Sequence, residues 1–338
     1  MLPALLLACL ASGSTENFPV FDQPVEISLE LANFKAEEGG KIARALLFGS
    51  IAKGANISVL CEENDPFFAG TDCLEKWKGA TAFNVGDVPC VQATDKLGGG
   101  VYKSIVYHAY VATPDYLYDI HVSAGALKGK GAAFTREDFS AIVKSFTVTG
   151  RPRTEDRRLP DAYYALRDEA AKHPKDQLDW VRAYCKQHPE DPLAHLYLAR
   201  LLGQKGQADL AAAEFVLAAD GLATLTERTE QQTNGLLEAL DHAAAFQAGK
   251  KAWKATIPLC ERIVQATESA AWPRAQRFRG LALYHLAIAH AQSKYADQAL
   301  EYLRLAIELE PARKTQSQQD ELFGPLHDDP RFKKLTGA

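Results

Sequence analysis

The sequence predicts an α+β N-terminal domain, an antiparallel sheet with two helices, followed by an all-α domain of paired helices. Residues 25–31 alternate apolar and polar side chains, which is the period of a half-buried strand. Two aromatic and β-branched runs, 102–112 and 116–124, flank a Thr-Pro-Asp turn and predict a β-hairpin. From Pro160 onward, apolar residues recur at helical spacing.

Length and composition favour two globular domains. The chain has 338 residues, of which 47% are hydrophobic and 24% charged. Its net charge is -5, and no long Lys/Arg block occurs. A nucleic-acid-binding surface needs such a basic field, so the sequence argues against a nucleic-acid partner.

The N-terminal domain is expected to span residues 20–149 as a meander of short strands. Its first helix is predicted after Thr71 or Asp72, and a second begins at Thr135, with Asp138 at the capping-box position. A polar segment, residues 14–24, is expected to precede the sheet. Further strands are predicted over residues 42–48, 57–61, 88–91 and 146–148.

The end of this domain carries a recognisable pattern. Tyr-Asp-Ile-His-Val-Ser at 118–123 is followed by Phe-Ser-Ala-Ile-Val-Lys-Ser-Phe-Thr-Val at 139–148. This layout resembles the close of domains in the PsbP-like group, small α+β modules often found on exported proteins and lipoproteins. The resemblance implies a non-catalytic accessory module, and it carries over no ligand residue.

Residues 150–159 combine Pro with mixed charge and are predicted to be the linker to a helical domain over residues 160–338. Two segments of that domain share one spacing. Small residues lie where two helices must approach closely, and larger apolar residues form the seam between them. The first segment carries Leu198, Ala199, Leu202, Ala211, Phe215 and Ala218. The second carries Leu283, Leu286, Ala287, His290, Ala299, Leu303, Ala306 and Pro311.

This pattern resembles the tetratricopeptide repeat, a helix-turn-helix unit of about 34 residues. Ala211 and Ala299 stand 88 residues apart, which fits neither two nor three such units, so the middle is expected to be irregular. Residues 221–231 and 267–279 are predicted to absorb the extra length. The segment after Pro311 is predicted to cap the array's open end.

The resemblance implies a scaffold for a protein or peptide partner. In such arrays the first helices of successive pairs line a concave groove. The predicted groove residues are Leu196, Arg200, Gln204, Tyr284, Ile288 and Gln292. Of these, only Arg200 is basic, which argues against a clamp for a peptide carboxylate. A competing interpretation is that Tyr284 and Ile288 pack against a neighbouring helix.

Six cysteines are present, none in a Cys-x-x-Cys pair and none with a His at zinc-finger spacing, so the sequence predicts no metal site and no cofactor. An oxidising compartment would permit a disulfide in the N-terminal domain. Cys73–Cys90 is the first candidate pair and Cys61–Cys73 the second.

The start of the chain predicts export to the periplasm or cell envelope. Residues 1–13 are a short apolar run ending in small residues, typical of a secretory signal. Alternatively, Leu6-Leu7-Ala8-Cys9 resembles a lipobox, in which case Cys9 carries a lipid. Membrane attachment is expected only through that lipid.

No familiar catalytic motif occurs in the sequence. A hairpin centred on Pro114 sets His108 opposite Ile120, which predicts that His121 projects from the other face of the sheet. The main hypothesis is therefore a non-catalytic exported adaptor. The alternative is an enzyme with a dispersed site in the α+β domain and repeats that recruit its substrate. A cleft in residues 20–149 with two titratable side chains in hydrogen-bond reach would favour the enzyme.

Overall fold

The computed structural model describes residues 14–37, 44–65, 67–97, 102–125 and 133–337. The chain divides into two compact units, Met1–Asp156 and Arg157–Ala338. The first is built from antiparallel sheets and the second from helices, so the predicted fold class is confirmed. In the part of the chain that the structure describes, no helix is long and apolar enough to cross a membrane.

The strands of the N-terminal unit are β1 Ser14–Pro19, β2 Val25–Leu31, β3 Lys35–Ala36, β4 Ala45–Ile51, β5 Ala55–Glu63, β6 Thr81–Val85, β7 Val88–Leu97, β8 Tyr102–Ala112, β9 Tyr116–Gly125 and β10 Thr147–Gly150. They form two antiparallel sheets, of order β1-β2-β10 and β3-β4-β5-β9-β8-β7-β6. The β8–β9 hairpin confirms the strongest strand prediction. The sequence pattern does not predict β1, because its side chains are mostly exposed and show no apolar alternation.

Apolar side chains of both sheets share one hydrophobic core, and helix α1 (Arg136–Ser145) packs Phe139 into it. As predicted, Thr135 caps this helix: its side chain accepts from the Asp138 backbone N–H, and the Asp138 carboxylate accepts from the Thr135 N–H. The other expected helix is a 3-10 helix, Gly70–Lys76. It lies on the opposite face of the larger sheet, where Cys73 packs with Tyr110.

The helical unit consists of α2 Asp161–Ala170, α3 Gln177–Gln187, α4 Pro192–Gln204, α5 Ala208–Ala223, α6 Glu230–Gly249, α7 Trp253–Ala266, α8 Pro273–Gln292, α9 Ala296–Leu309, α10 Arg313–Gln319 and α11 Pro330–Thr336. Helices α4–α5, α6–α7 and α8–α9 form successive hairpins. Gly206, with φ 71°, makes the turn between α4 and α5, a conformation that favours glycine. This architecture is consistent with a tetratricopeptide-type fold.

The seam residues predicted from the sequence are buried, including Ala287 and Ala299 at 0% exposure. The extra length of the array, however, is taken up by helices rather than by loops: α6 and α8 have 20 residues each. Pro258 lies inside α7. After α9, a segment that we call the C-terminal cap comprises α10, the 3-10 helix Glu321–Leu326 and α11. It buries Phe323, Leu326 and Phe332 in a cluster with α8 and α9.

Candidate functional site

The predicted groove positions on α4 lie inside the helix packing. Leu196 is fully buried beside Gly235 of α6. Arg200 is 7% exposed; its guanidinium donates to the Tyr163 hydroxyl at 2.6 Å and forms an ion pair with Glu238. The prediction of open groove contacts is therefore wrong for Leu196 and Arg200, because α2 and α6 cover these positions. Gln204 is exposed, and its role stays a prediction.

Arg200 belongs to an ion-pair network across three helices. Glu238 of α6 lies between Arg200 of α4 and Arg274 of α8, the latter at 3.4 Å. Burial alone would raise the pKa of Glu238, but Arg200 and the other arginines around it hold that pKa below its ordinary value. Arg200 thus neutralises a buried carboxylate of its own chain, so it is not available for an acidic group of a partner.

The predicted positions on α8 are covered by the C-terminal cap. Tyr284 and Ile288 are 2% and 4% exposed. The Tyr284 hydroxyl donates to the Asp320 carboxylate at 3.0 Å, and the Gln292 side-chain amide donates to the Leu322 carbonyl at 2.6 Å. The packing interpretation therefore holds for Tyr284 and Ile288, with the cap as the neighbour.

A cavity of about 310 Å³ lies between α8 and the C-terminal cap. We call it the cap pocket. Its lining includes Trp253, Leu281, Tyr284, His285, Ile288 and Leu322. Arg313 also borders the cavity, but its guanidinium pairs with Glu310 at 2.7 Å and stacks 4.9 Å from the Tyr284 ring. Two predicted groove residues thus meet at a pocket that is closed on one side by the cap.

His285 is one of the polar residues that line this pocket, together with Arg313, Gln316 and Asp320. Its Nδ1 is buried and has no hydrogen-bond partner among the described residues. Burial lowers the pKa of His285, as does the positive charge of Arg313, so the imidazole is neutral at pH 7. A neutral imidazole nitrogen can bond a single amide or hydroxyl of a ligand without the cost of burying a charge.

The N-terminal unit holds a second group of side chains, which includes two histidines that the sequence pattern predicts on opposite faces of the sheet. His108 pairs directly with His121 across the β8–β9 hairpin, not with Ile120, and the two rings lie 4.6 Å apart. The prediction that they lie on opposite faces is wrong, because the turn closes on Thr113 and Tyr116 rather than being centred on Pro114. A shift of one residue moves a side chain to the other face of a sheet.

In the registers of β5, β9 and β8, residues that pair across the three strands form rows on this face of the sheet. Ser58, His121 and His108 form one row, and Leu60, Asp119 and Tyr110 form the next. His108 Nδ1 lies 2.9 Å from the Asp119 carboxylate, while Ser58 Oγ lies 3.2 Å from His121 Nδ1. The serine and the carboxylate therefore contact different histidines, which is not the linear arrangement of a Ser-His-Asp triad.

Beside these rows is a cavity of about 300 Å³, which we call the sheet pocket. It is lined by Leu60, Glu62, Cys73, Lys76, Trp77, Tyr110, Leu117 and Asp119. The indole N–H of Trp77 donates to the Tyr110 hydroxyl at 2.8 Å, which fixes both aromatic side chains. Asp119 lines this pocket and His108 does not, so the cleft holds one member of the hydrogen-bonded pair, whereas an enzyme site in residues 20–149 is expected to hold two. No group of three or more His, Cys, Asp or Glu suited to a metal ion occurs among the described residues.

The predicted disulfide is not formed. Cys61, Cys73 and Cys90 are free thiols. Cys73 packs with Tyr110 on one face of the larger sheet, whereas Cys90 packs in the core on the other face, so neither can reach the other without a change of fold. Burial raises the pKa of all three thiols to about 12, which keeps them neutral and unreactive. Cys9 lies outside the described residues.

Comparisons with known proteins add little to this geometry. No protein-family model matches the chain, and no curated protein matches it. Among solved structures, a MamA RS-1 ArsTM double mutant is 16% identical over 53% of this chain and 91% of its own, with a TM-score of 0.38. A crystal structure from Bacteroides thetaiotaomicron VPI-5482 is 11% identical over 66% and 75%, with a TM-score of 0.27. Such scores are too low to support a functional argument.

Proposed function

We propose that this protein is an adaptor whose helical unit binds a peptide segment of a protein partner in the cap pocket. One observation carries the proposal: a cavity of about 310 Å³ lies over Tyr284 and Ile288, two of the residues that the repeat pattern assigns to partner binding. A cavity of this size accepts one large side chain, and interfaces are commonly anchored by such a buried apolar or aromatic side chain.

The lining defines the peptide chemistry. Trp253, Leu281 and Ile288 provide apolar walls, so the anchor is an aromatic or long aliphatic side chain. His285 Nδ1 accepts one hydrogen bond from the peptide backbone or from the anchor. Arg313 is already paired with Glu310, so an acidic anchor gains little there.

Peptide selection against the full-length protein tests the proposal. A random displayed library should yield peptides that share one aromatic or aliphatic position, and fluorescence anisotropy then measures their affinity. Leu281→Gln, at the pocket rim, should weaken binding at least about tenfold, equivalent to about 1.4 kcal/mol. Leu309→Gln, at an exposed leucine away from the pocket, is the matched control and should change nothing. Peptides without a common anchor, or affinities unaffected by Leu281→Gln, would contradict the proposal.

We further propose export, with the N-terminal unit as an accessory module of PsbP-like type. The apolar run at residues 1–13 and the lipobox-like Cys9 support export, and the α+β arrangement supports the accessory role. Cell fractionation with mass spectrometry of the mature N-terminus tests the first point. Cytosolic protein with intact Met1 would refute export, and a lipid mass on Cys9 would identify a lipoprotein.

The alternative function, an enzyme with its site in the N-terminal unit, is favoured by the His108–Asp119 pair beside the sheet pocket. Such a pair can orient a general base. Among the described residues, however, no hydroxyl or thiol hydrogen-bonds to His108. Binding therefore accounts for this site with fewer assumptions than catalysis does.

A further inference from the structure

The sheet pocket combines aromatic walls with a carboxylate that has unused hydrogen-bonding capacity. Trp77 and Leu117 are half-buried at its wall, and Tyr110 is 7% exposed. Both oxygens of Asp119 approach the same His108 Nδ1, at 2.9 and 3.1 Å. One N–H uses only part of what a carboxylate accepts, since its two oxygens have about four lone pairs. Asp119 therefore retains lone pairs for another donor, and it lines the cavity.

The charge around the cavity is set by a small number of groups. Burial raises the pKa of the Cys73 thiol to about 12 and raises the pKa of the Tyr110 phenol, so both are neutral. Glu62 is exposed and pairs with Arg44 at 3.0 Å, an ion pair that solvent screens. Lys76 is exposed and stacks 5.9 Å from the Phe68 ring. Asp119, half-buried on the sheet, is thus the charge that lies deepest in the pocket.

We propose that the sheet pocket binds a small primary amine with an aromatic or branched alkyl body. The ammonium group donates to Asp119, and the body of the ligand lies between Leu60, Leu117 and the Trp77 ring. A cation next to Trp and Tyr faces is further stabilised by the negative faces of the rings. The volume of about 300 Å³ fits a molecule of this class, the lower end of ordinary ligand pockets.

His108 acts as a positioning residue in this arrangement. Its ring lies 4.4 Å from the Trp77 ring and 4.6 Å from the His121 ring, so it is fixed between neighbours. Its Nδ1–H in turn holds the Asp119 carboxylate in one orientation. The ligand then meets a pre-oriented acceptor, which lowers the entropy lost on binding.

Three probes with the same ring and different charge test the proposal by calorimetric titration of the full chain. They are benzylammonium, benzyl alcohol and benzoate. Benzylammonium should bind saturably, and benzyl alcohol and benzoate at least about tenfold more weakly, because only the ammonium is attracted to the half-buried Asp119. Lys76 is exposed, so solvent screens its attraction for benzoate. Benzoate binding as tightly as benzylammonium, or the absence of saturable benzylammonium binding at millimolar concentration, would overturn the proposal.

Three variants test whether benzylammonium binds in the sheet pocket. Asp119→Asn keeps an oxygen for His108 but removes the charge, so benzylammonium affinity should fall at least about tenfold. Leu60→Trp fills the cavity and should abolish binding. Because this variant leaves Asp119 in place, it tests the same pocket if Asp119→Asn folds poorly. Glu137→Gln, an exposed carboxylate away from the pocket, should bind as the wild type does. Unchanged affinity in Asp119→Asn or Leu60→Trp, with thermal unfolding like the wild type, would place the amine elsewhere.

Discussion

The two hairpins with the clearest repeat pattern, α4–α5 and α8–α9, use equivalent positions in different ways. In both, the seam between the helices is closed by small and apolar residues, as the spacing predicts. On α4 the positions facing away from the seam are occupied by a buried leucine and a buried ion pair. On α8 they are occupied by Tyr284 and Ile288, which lie under the cap and line a cavity.

The difference comes from the elements that cover each hairpin. Helices α2 and α6 cover Leu196 and Arg200 of α4, and Arg200 neutralises the buried Glu238 carboxylate there. The shorter helices of the C-terminal cap cover α8 incompletely and leave the cap pocket. A repeat pattern therefore identifies where two helices join, but the function of the remaining face depends on what the chain places next to it.

The largest expected effect is at Arg200. Arg200→Ala leaves Glu238 buried with one of its principal counter-charges removed, which should lower the free energy of unfolding by about 3 to 5 kcal/mol. Urea unfolding followed by circular dichroism measures the loss. Arg200→Met combined with Glu238→Leu removes both charges and should restore most of the stability. A single-variant loss below about 1 kcal/mol would show that α4 presents Arg200 to solvent and that the two hairpins are alike.

Much of this comparison could be predicted from the sequence, and the missing part has a physical reason. Seam residues such as Ala287 and Leu303 follow from a local period, because their partners lie in the same hairpin. The cover over Leu196 and Arg200 comes from α2 and α6, which are set by tertiary packing. The apolar pattern does show that Tyr284 and Ile288 lie near a binding surface, but it does not distinguish an open groove from a capped one.

In the N-terminal unit too, the sequence pattern predicts the local elements but not the site that their pairing creates. The β8–β9 hairpin follows from its two strand patterns, yet the sheet pocket depends on a register that one turn residue decides. Once His108 is paired with His121, Asp119 and Tyr110 fall in the adjacent row on the same face. The Thr-Pro-Asp turn followed by Tyr116 was the available signal, since Pro114 and Asp115 suit the two central positions of a tight turn.

The second prediction concerns α6, which lies between the two hairpins and carries a second carboxylate with a different environment. Burial, with Glu238 nearby, raises the pKa of Asp241 from 3.8 to about 6, and its Oδ1 has no partner among the described residues. The unfolded chain loses this proton at lower pH than the folded chain. Below about pH 4 the folded chain carries Asp241 protonated, and the residue does not lower the free energy of unfolding. Above about pH 6 its ionised carboxylate lowers that free energy by about 3 kcal/mol.

Asp241→Asn removes that cost and should raise the free energy of unfolding by about 2 kcal/mol at pH 8, somewhat less than the full amount because the amide is also desolvated. At pH 4 the variant and the wild type should be equally stable. Denaturant titrations at pH 8 and pH 4 measure the free energy of unfolding of the variant and of the wild type. The exposed Asp328→Asn is the control. Equal stability at pH 8 would mean that Asp241 is solvated and that α6 carries no unpaired charge between the hairpins.

The smallest effects compare one tyrosine from each hairpin. The Tyr284 hydroxyl donates to the Asp320 carboxylate at 3.0 Å, whereas the Tyr197 hydroxyl of α4 accepts from the neutral Gln177 amide at 3.0 Å. Hydrogen bonds to charged groups contribute about 1.5 to 3 kcal/mol and neutral ones about 0.5 to 1.5 kcal/mol. Tyr284→Phe should therefore destabilise the helical unit more than Tyr197→Phe does, with both measured by urea unfolding.

Hydrogen exchange in the cap separates the two variants further. Because Asp320 begins the 3-10 helix of the cap, Tyr284→Phe should increase hydrogen exchange across residues 320–326. Tyr197→Phe should leave the exchange of these residues unchanged. Equal losses, or cap exchange that does not respond to Tyr284→Phe, would show that the cap is held by its apolar contacts alone.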